Sequence, residues 1–266
     1  MSDLGTQQEH EPPPSGIRLQ GGALLASLQF LTLMPPIIRR PFAPAELGGA
    51  VAYFPLVGLL LGLLLAALDA VLGRVLPTAL GAVLLLIAWV AMTGALHLDG
   101  FLDTCDGLLG GKTPASRLEI MRDHRIGAFA LAGGVLLLLL KYAGLTALLL
   151  HSTTLLLAPL LGRWAMALAM FAFPYARPQG AGRMLKDNVR PVHLIIATAL
   201  TLIAVLVLAN WRGLIALGAA GLGTWALARY TLWRIPGLTG DVYGATCELV
   251  EAITIVLMVA MGAWDG

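Results

Sequence analysis

GGAVAYFPLVGLLLGLLLAALDAVLG, residues 48–73, is apolar throughout except for one carboxylate, Asp69. About 20 such residues suffice to cross the ~30 Å hydrocarbon core of a bilayer as a helix. Six further runs of this kind follow, near 78–98, 127–150, 153–173, 192–210, 213–228 and 247–264. An earlier segment, 21–38, is also apolar, but it contains Pro35-Pro36 and is followed by Arg39-Arg40. Proline removes a backbone donor and breaks a helix, so this segment is expected to be re-entrant, interfacial or a broken span. Across the 266 residues, 58% are hydrophobic and 12% charged, and mean hydropathy is +0.84. Soluble domains carry about a quarter charged residues. The composition therefore excludes a soluble enzyme, a disordered chain and a nucleic-acid binder. It predicts an all-α, polytopic integral membrane helical bundle with about seven transmembrane helices, forming one domain over 21–266. Residues 1–20 are polar and Pro-rich, without the basic start, apolar stretch and cleavage site of a signal peptide, and read as a disordered tail. Two cysteines, Cys105 and Cys247, are too few for a disulfide framework or a four-cysteine zinc site.

The net charge of +2 matters less than its placement. Taken between the seven spans, Lys and Arg sort by alternate connections. Thirteen lie on one side (Arg18, Arg39 and Arg40; Lys112, Arg117, Arg122 and Arg125; Arg177, Arg183, Lys186 and Arg190; Arg229 and Arg234) against Arg74 and Arg212 on the other. The positive-inside rule assigns the rich side to the cytoplasm. Three acidic groups, Asp99/Asp103/Asp106, Glu119/Asp123 and Asp241/Glu248/Glu251, fall in or beside the same connections. A carrier should show polar groups along a transmembrane path. Polar chemistry gathered at one face instead suggests an enzyme of the cytoplasmic (inner) membrane whose active site faces the cytoplasm.

HLDGFLDTCDG, 97–107, spaces Asp99, Asp103 and Asp106 at i, i+4 and i+7. At about 100° per residue they share a helix face roughly 60° wide. Three ionised carboxylates so placed repel one another unless a cation sits among them. Hard cations take oxygen ligands, and Mg²⁺ commonly binds carboxylates together with substrate phosphates. Glu119 and Asp123, in RLEIMRDHRIG (117–127), repeat the i, i+4 spacing on a second expected helical segment. Two facing acidic helices suit one or two metals, as in phosphoryl transfer. The alternative is that these carboxylates cap helices or pair with Lys112, Arg117, Arg122 and Arg125. The spacing is similar to the paired-Asp helices of CDP-alcohol phosphotransferases, but the Ala-Arg expected after that family's Asp-Gly is absent.

In GLTGDVYGATCELVE, 237–251, Asp241 and Glu248 share a face if the helix starts early; the other reading is acids complementing a helix dipole. The loop 174–191 holds four cations suited to phosphate oxygens, or simply to the inside rule and lipid headgroups. Arg163 falls inside a span and is expected to pair with an acid; pairing or snorkelling accounts for Lys141 and Asp69. His97 suits a metal ligand, a general base or interfacial packing.

The chain resembles the adenosylcobinamide-GDP ribazoletransferase (cobalamin synthase, cobalamin-5′-phosphate synthase) family. The stretches that carry the resemblance are QFLTLMP (29–35), YFPLVG (53–58), HLDGFLDTCDGL (97–108), RLEIMRDHRIGAFA (117–130), YARPQGAG (175–182) and TGDVYGATCELVE (239–251). Ala130 stands where the family is expected to carry Gly, and the N-terminal tail is longer than usual. The resemblance implies Mg²⁺-dependent transfer, with Mn²⁺ as the other candidate ion. A ribazole hydroxyl attacks the corrinoid-side phosphorus of adenosylcobinamide-GDP and releases GMP. The acceptor is α-ribazole or its 5′-phosphate, and the product adenosylcobalamin or its 5′-phosphate. It makes Asp99, Asp103, Asp106 and Asp123, with Glu119 in support, the metal candidates. Asp241 is the candidate for accepting the hydroxyl proton, with His97 in reserve. Arg125, Arg177, Arg183 and Glu248 are the candidates for binding substrate. Membrane lipid is an expected partner, and a homo-oligomer is left open. The rival readings are a CDP-alcohol phosphotransferase making phospholipid, a divalent-cation or corrinoid transporter, and a structural subunit.

Overall fold

The computed structural model describes residues 16–148 and 151–262, with side chains from 20 to 148 and from 152 to 262. Among the described residues the chain is helical, in the order α1 (Gly16–Leu31), α2 (Pro44–Leu72), α3 (Thr78–Met92), α4 (Leu96–Gly110), α5 (Pro114–Ile120), α6 (Ala128–Ala147), α7 (His151–Ala172), α8 (Ala181–Asn188), α9 (Pro191–Arg234) and α10 (Gly240–Gly262). Helices α2, α6, α7, α9 and α10 are long and apolar enough to cross a membrane. At 44 residues α9 would measure about 66 Å if straight, twice what one crossing needs. It is not straight. Asn210 has φ 49° and ψ −130°, and a Cβ on Gly213 would lie only 2.3 Å from the Val205 carbonyl oxygen. Residues eight apart in a continuous helix are about 12 Å apart, so the chain folds back at Asn210 into two arms, as the runs 192–210 and 213–228 predict. The protein is a multi-pass helical membrane protein.

Burial is inverted relative to a soluble domain. Leu131, Leu136, Ile195, Ile203, Val207 and Leu222 are exposed, whereas Lys141, Arg163, Glu248 and Glu251 are buried. These four charges form one network. Lys141 Nζ donates to Glu248 Oε2 at 2.6 Å and to Glu251 Oε2 at 2.5 Å. Arg163 donates through Nη1 to Glu251 Oε1 and stands with Nη2 3.3 Å from His97 Nδ1. Two cations and two carboxylates cancel, which is how charge survives away from water. Lys141 therefore pairs rather than snorkels. Small residues let the helices approach: Gly58 and Gly62 of α2 lie against the Pro159 and Leu155 carbonyls of α7, where any Cβ would collide.

Segment 21–38 does not cross. Gly22 of α1 touches Glu46 of α2, and the rings of Phe30 and Phe54 stack 6.3 Å apart further along. The two helices thus run side by side in the same direction, and 32–43 must return to the end where α1 began. Gln29 pins that return by bonding Ile38 N–H (2.8 Å) and C=O (3.2 Å). Glu46 accepts both Arg40 Nη groups and the Ala43 N–H, closing the start of α2. Helix α1 begins at Gly16, so the last five residues of the expected tail are helical; Arg18, Leu19 and Gln20 are good helix formers that lead into the apolar run. Residues 1–15 lie outside the described residues.

Candidate active site

The expected span 78–98 is broken: α3 and α4 are together long and apolar enough to cross a membrane, as one bent span or a re-entrant turn. After α3 the chain turns through Gly94 (φ 61°) and Ala95 (φ 58°), both left-handed, and α4 leaves at 89° to α3. With three aspartates on it, α4 packs against α6 and α10. It crosses α10 where both backbones lack side chains: a Cβ on Gly100 would meet Asp241, and one on Gly244 would meet His97. This crossing brings the acids of α4 to the start of α10. The loop before α8 is tied to the same place. Ala176 N–H donates to Leu238 C=O and Leu238 N–H to Pro174 C=O, both at 2.8 Å.

Asp99, Asp103, Asp106 and Asp123 all line one cavity of about 380 Å³, together with Arg122, Arg125 and Arg177. Their states differ. Asp106, buried, accepts from the N–H groups of Gly127 (2.6 Å) and Ala130 (2.9 Å) and so caps α6 against its dipole. Asp123 is not on a second acidic helix, because α5 ends at Ile120. Its carboxylate chelates the backbone N–H and guanidinium of Arg125 instead, a local bond that competes with helix. That guanidinium holds the Asp123 carboxyl down to about 2. Glu119 is exposed on α5 and lines a neighbouring cavity of about 260 Å³. Asp99 and Asp103 make no side-chain hydrogen bond or salt bridge among the described residues. Burial, then the charges of Asp99 and Asp241, push the Asp103 carboxyl up to about 7.

These residues test the expected metal. Among the described residues no three acidic, His or Cys side chains stand close enough to hold an ion, so the five-acid constellation is not assembled as a cage. What fits is smaller: two carboxylates with no hydrogen-bond or salt-bridge partner among the described residues, Asp99 and Asp103, one turn apart. Mg²⁺ typically needs one or two carboxylates and completes its shell with water and phosphate.

The folded Asp103 carboxyl keeps its proton to higher pH than the unfolded one, whose value is near 3.8. Between about pH 4 and pH 7 the folded state binds more protons, so stability falls as pH rises and levels off above 7. We expect the Tm of the metal-free protein in detergent to fall from pH 5 to pH 8 more than that of Asp103→Asn; parallel curves would contradict this.

Arg177 is the hub. It donates to Asp241 Oδ2 at 2.6 Å and to the Met121 carbonyl at 3.3 Å, and it lines the acid cavity, the Glu119 cavity and a third of about 250 Å³. Asp99 and Asp241 also border the third. Arg183 turns to Asp187 at 2.7 Å, Arg125 is exposed beside Asp123, and Glu248 faces inward to Lys141 rather than into a cavity. His97 lines the third cavity but is a poor base. An arginine only donates, so Nδ1 accepts from Arg163 and the proton sits on Nε2, which has no partner. In that tautomer Nε2 has no lone pair for a proton or a metal.

A family model described as Cobalamin-5-phosphate synthase matches residues 23–259. The chain belongs to that family. The chain is 42% identical over 236 residues to an adenosylcobinamide-GDP ribazoletransferase of Stutzerimonas stutzeri, covering 88% of this chain and 96% of the relative. It is 37% identical over 237 residues to the protein of that name from Roseiflexus, covering 87% of each. With the one from Pseudomonas fluorescens it shares 42% identity over 233 residues, 86% of this chain and 96% of the relative. No solved structure matches the chain. Membership in a transferase family of cobalamin biosynthesis decides against the phospholipid synthase, transporter and structural-subunit alternatives.

Residues that spacing did not single out wall the third cavity. Tyr175 and Tyr243 stack at 5.8 Å and wall the third cavity with Gln179 and the Gly180–Gly182 turn. Gly180 has φ +120°, which side chains resist, and a Cβ on Gly182 would strike the Tyr175 hydroxyl. Both tyrosines lie inside stretches that carried the resemblance, YARPQGAG and TGDVYGATCELVE; an aromatic beside glycines in a polar connection was the available signal.

Proposed function

We propose that the chain is an adenosylcobinamide-GDP ribazoletransferase of the cytoplasmic membrane, acting on the inner face with Mg²⁺. A ribose hydroxyl of α-ribazole, free or 5′-phosphorylated, attacks the corrinoid-side phosphorus of the pyrophosphate. One O–P bond forms, the P–O bond to GMP breaks, and the hydroxyl proton passes to a carboxylate. The observation that carries this reading is the meeting of Asp99, Asp103, Asp241 and Arg177 at one end of the bundle.

Asp99 and Asp103 would hold the ion, which when bound supplies charge neutralisation for the pyrophosphate and the departing phosphate. Arg177 presents a forked donor suited to phosphate oxygens. It is held on Asp241 in this structure. When it swings to an arriving phosphate, the Asp241 carboxylate is released to take the hydroxyl proton.

The test is direct. Purified protein in detergent is given adenosylcobinamide-GDP and α-ribazole with Mg²⁺, and GMP is measured. We expect release that requires both substrates and ceases with chelator. GMP production unaffected by omitting α-ribazole, or none at all, would overturn the assignment.

A further inference from the structure

We propose that the cavity of about 250 Å³ beneath Tyr175 and Tyr243 seats the acceptor's base, with His97 Nε2–H donating to an unprotonated ring nitrogen of that base. The proposal rests on the transfer reaction proposed above and says which substrate lies where. Size excludes the alternatives first. Drug-sized ligands occupy roughly 300–1,000 Å³, so the space suits a bicyclic ring and not a corrin macrocycle. Chemistry narrows it further. Phe30, Leu96, Met166 and Met170 supply apolar walls, and thioethers pack well on aromatic faces. A guanine edge, which needs several partners of both kinds, would have to take them from Gln179 and from Asp99 and Asp241, the carboxylates that the reaction needs for the ion and the proton.

Three polar atoms of residues that line the cavity lack partners: His97 Nε2, the Tyr243 hydroxyl and Arg177 Nε. His97 and Tyr243 are each 1% exposed, and neither Nε2 nor the tyrosine hydroxyl makes a hydrogen bond. Buried polar groups are almost always satisfied, and a ligand in this cavity would complete those on its lining residues. Arg163 donates to Nδ1 and thereby fixes Nε2 as a donor, which calls for a lone pair on the ligand. The donor is set from the far side by Glu251, which holds Arg163. Arg177, Asp99 and Asp241 border this cavity and Arg177 and Asp99 also border the acid cavity. A base held here therefore extends its sugar toward the carboxylates that serve the reacting phosphorus.

The experiment measures equilibrium binding of labelled α-ribazole to the full-length protein in detergent without the corrinoid donor, and of GDP as a donor fragment. Met170→Trp fills the cavity; we expect acceptor affinity to fall at least roughly tenfold with GDP binding within about twofold of wild type. A riboside whose base carries C–H in place of the ring nitrogen should bind the wild type roughly tenfold more weakly than α-ribazole, the worth of one hydrogen bond to a buried donor. It should show no such deficit relative to α-ribazole in His97→Ala. His97→Gln, which can accept from Arg163 and still donate, should restore most of the preference. Equal wild-type affinity for the two ribosides, or acceptor binding untouched by Met170→Trp, overturns the proposal even where GMP release proves the transfer reaction correct. Failure of GMP release overturns the reaction itself and this assignment with it. The wild-type comparison requires no variant to fold.

Discussion

Asp103→Asn lowers GMP release on the order of a hundredfold to a thousandfold, the usual cost of removing one charge-stabilising group from an active site, and leaves the fold intact. Three aspartates share one face of α4, yet only this one is half-buried, unpaired and pushed up to about 7 by burial and its neighbours. Its carboxylate does no structural work, so the amide should not lower Tm and relieves repulsion at neutral pH. Asp106→Asn behaves oppositely. It weakens two charge-assisted bonds at the start of α6, costing about 1–3 kcal/mol, so the loss appears in Tm. Steady-state GMP release and thermal unfolding, measured on both variants, separate the two roles. Turnover of Asp103→Asn near wild type would remove the carboxylate from the chemistry.

Glu251→Gln damages the protein more broadly. The Glu251 carboxylate receives Lys141 and Arg163 together, and neutralising it leaves two buried cations facing one carboxylate. Removing one partner of a buried ion pair costs about 3–5 kcal/mol, a large share of typical stability. We expect a marked drop in Tm and in the yield of monodisperse protein. Charge balance also predicts a recovery. Lys141→Met alone leaves two carboxylates against Arg163, whereas Lys141→Met with Glu248→Leu leaves the neutral Arg163–Glu251 pair, and the double variant should be the more stable of the two. If the double variant is no better, the network is not held by charge balance.

Much of this was legible in the sequence because membrane composition constrains it strongly. The apolar runs located the spans, including the reversal at Asn210 but not the sharp bend inside 78–98, and the expectation that Arg163 pairs with an acid is met by Glu251. Helix periodicity correctly put Asp99, Asp103 and Asp106 on one face of α4. It could not say that Asp106 faces the start of α6, since that depends on a contact across 21 residues. The i, i+4 spacing of Glu119 and Asp123 misled for a different reason: Asp123 finds a closer partner in Arg125, and the helix ends first. Glu248 had the right spacing to Asp241, but spacing is blind to Lys141 on another helix.

The re-entrant course of α1 carries Phe30, from near the start of the chain, into the same wall as Tyr243 near its end. Contributions from α4 and α7 lie between. A nascent chain entering the bilayer helix by helix thus has no working centre until α10 has left the ribosome and docked. Premature termination anywhere before Asp241 removes the partner of Arg177 and one wall of the cavity together, and so yields an inert protein rather than a crippled catalyst.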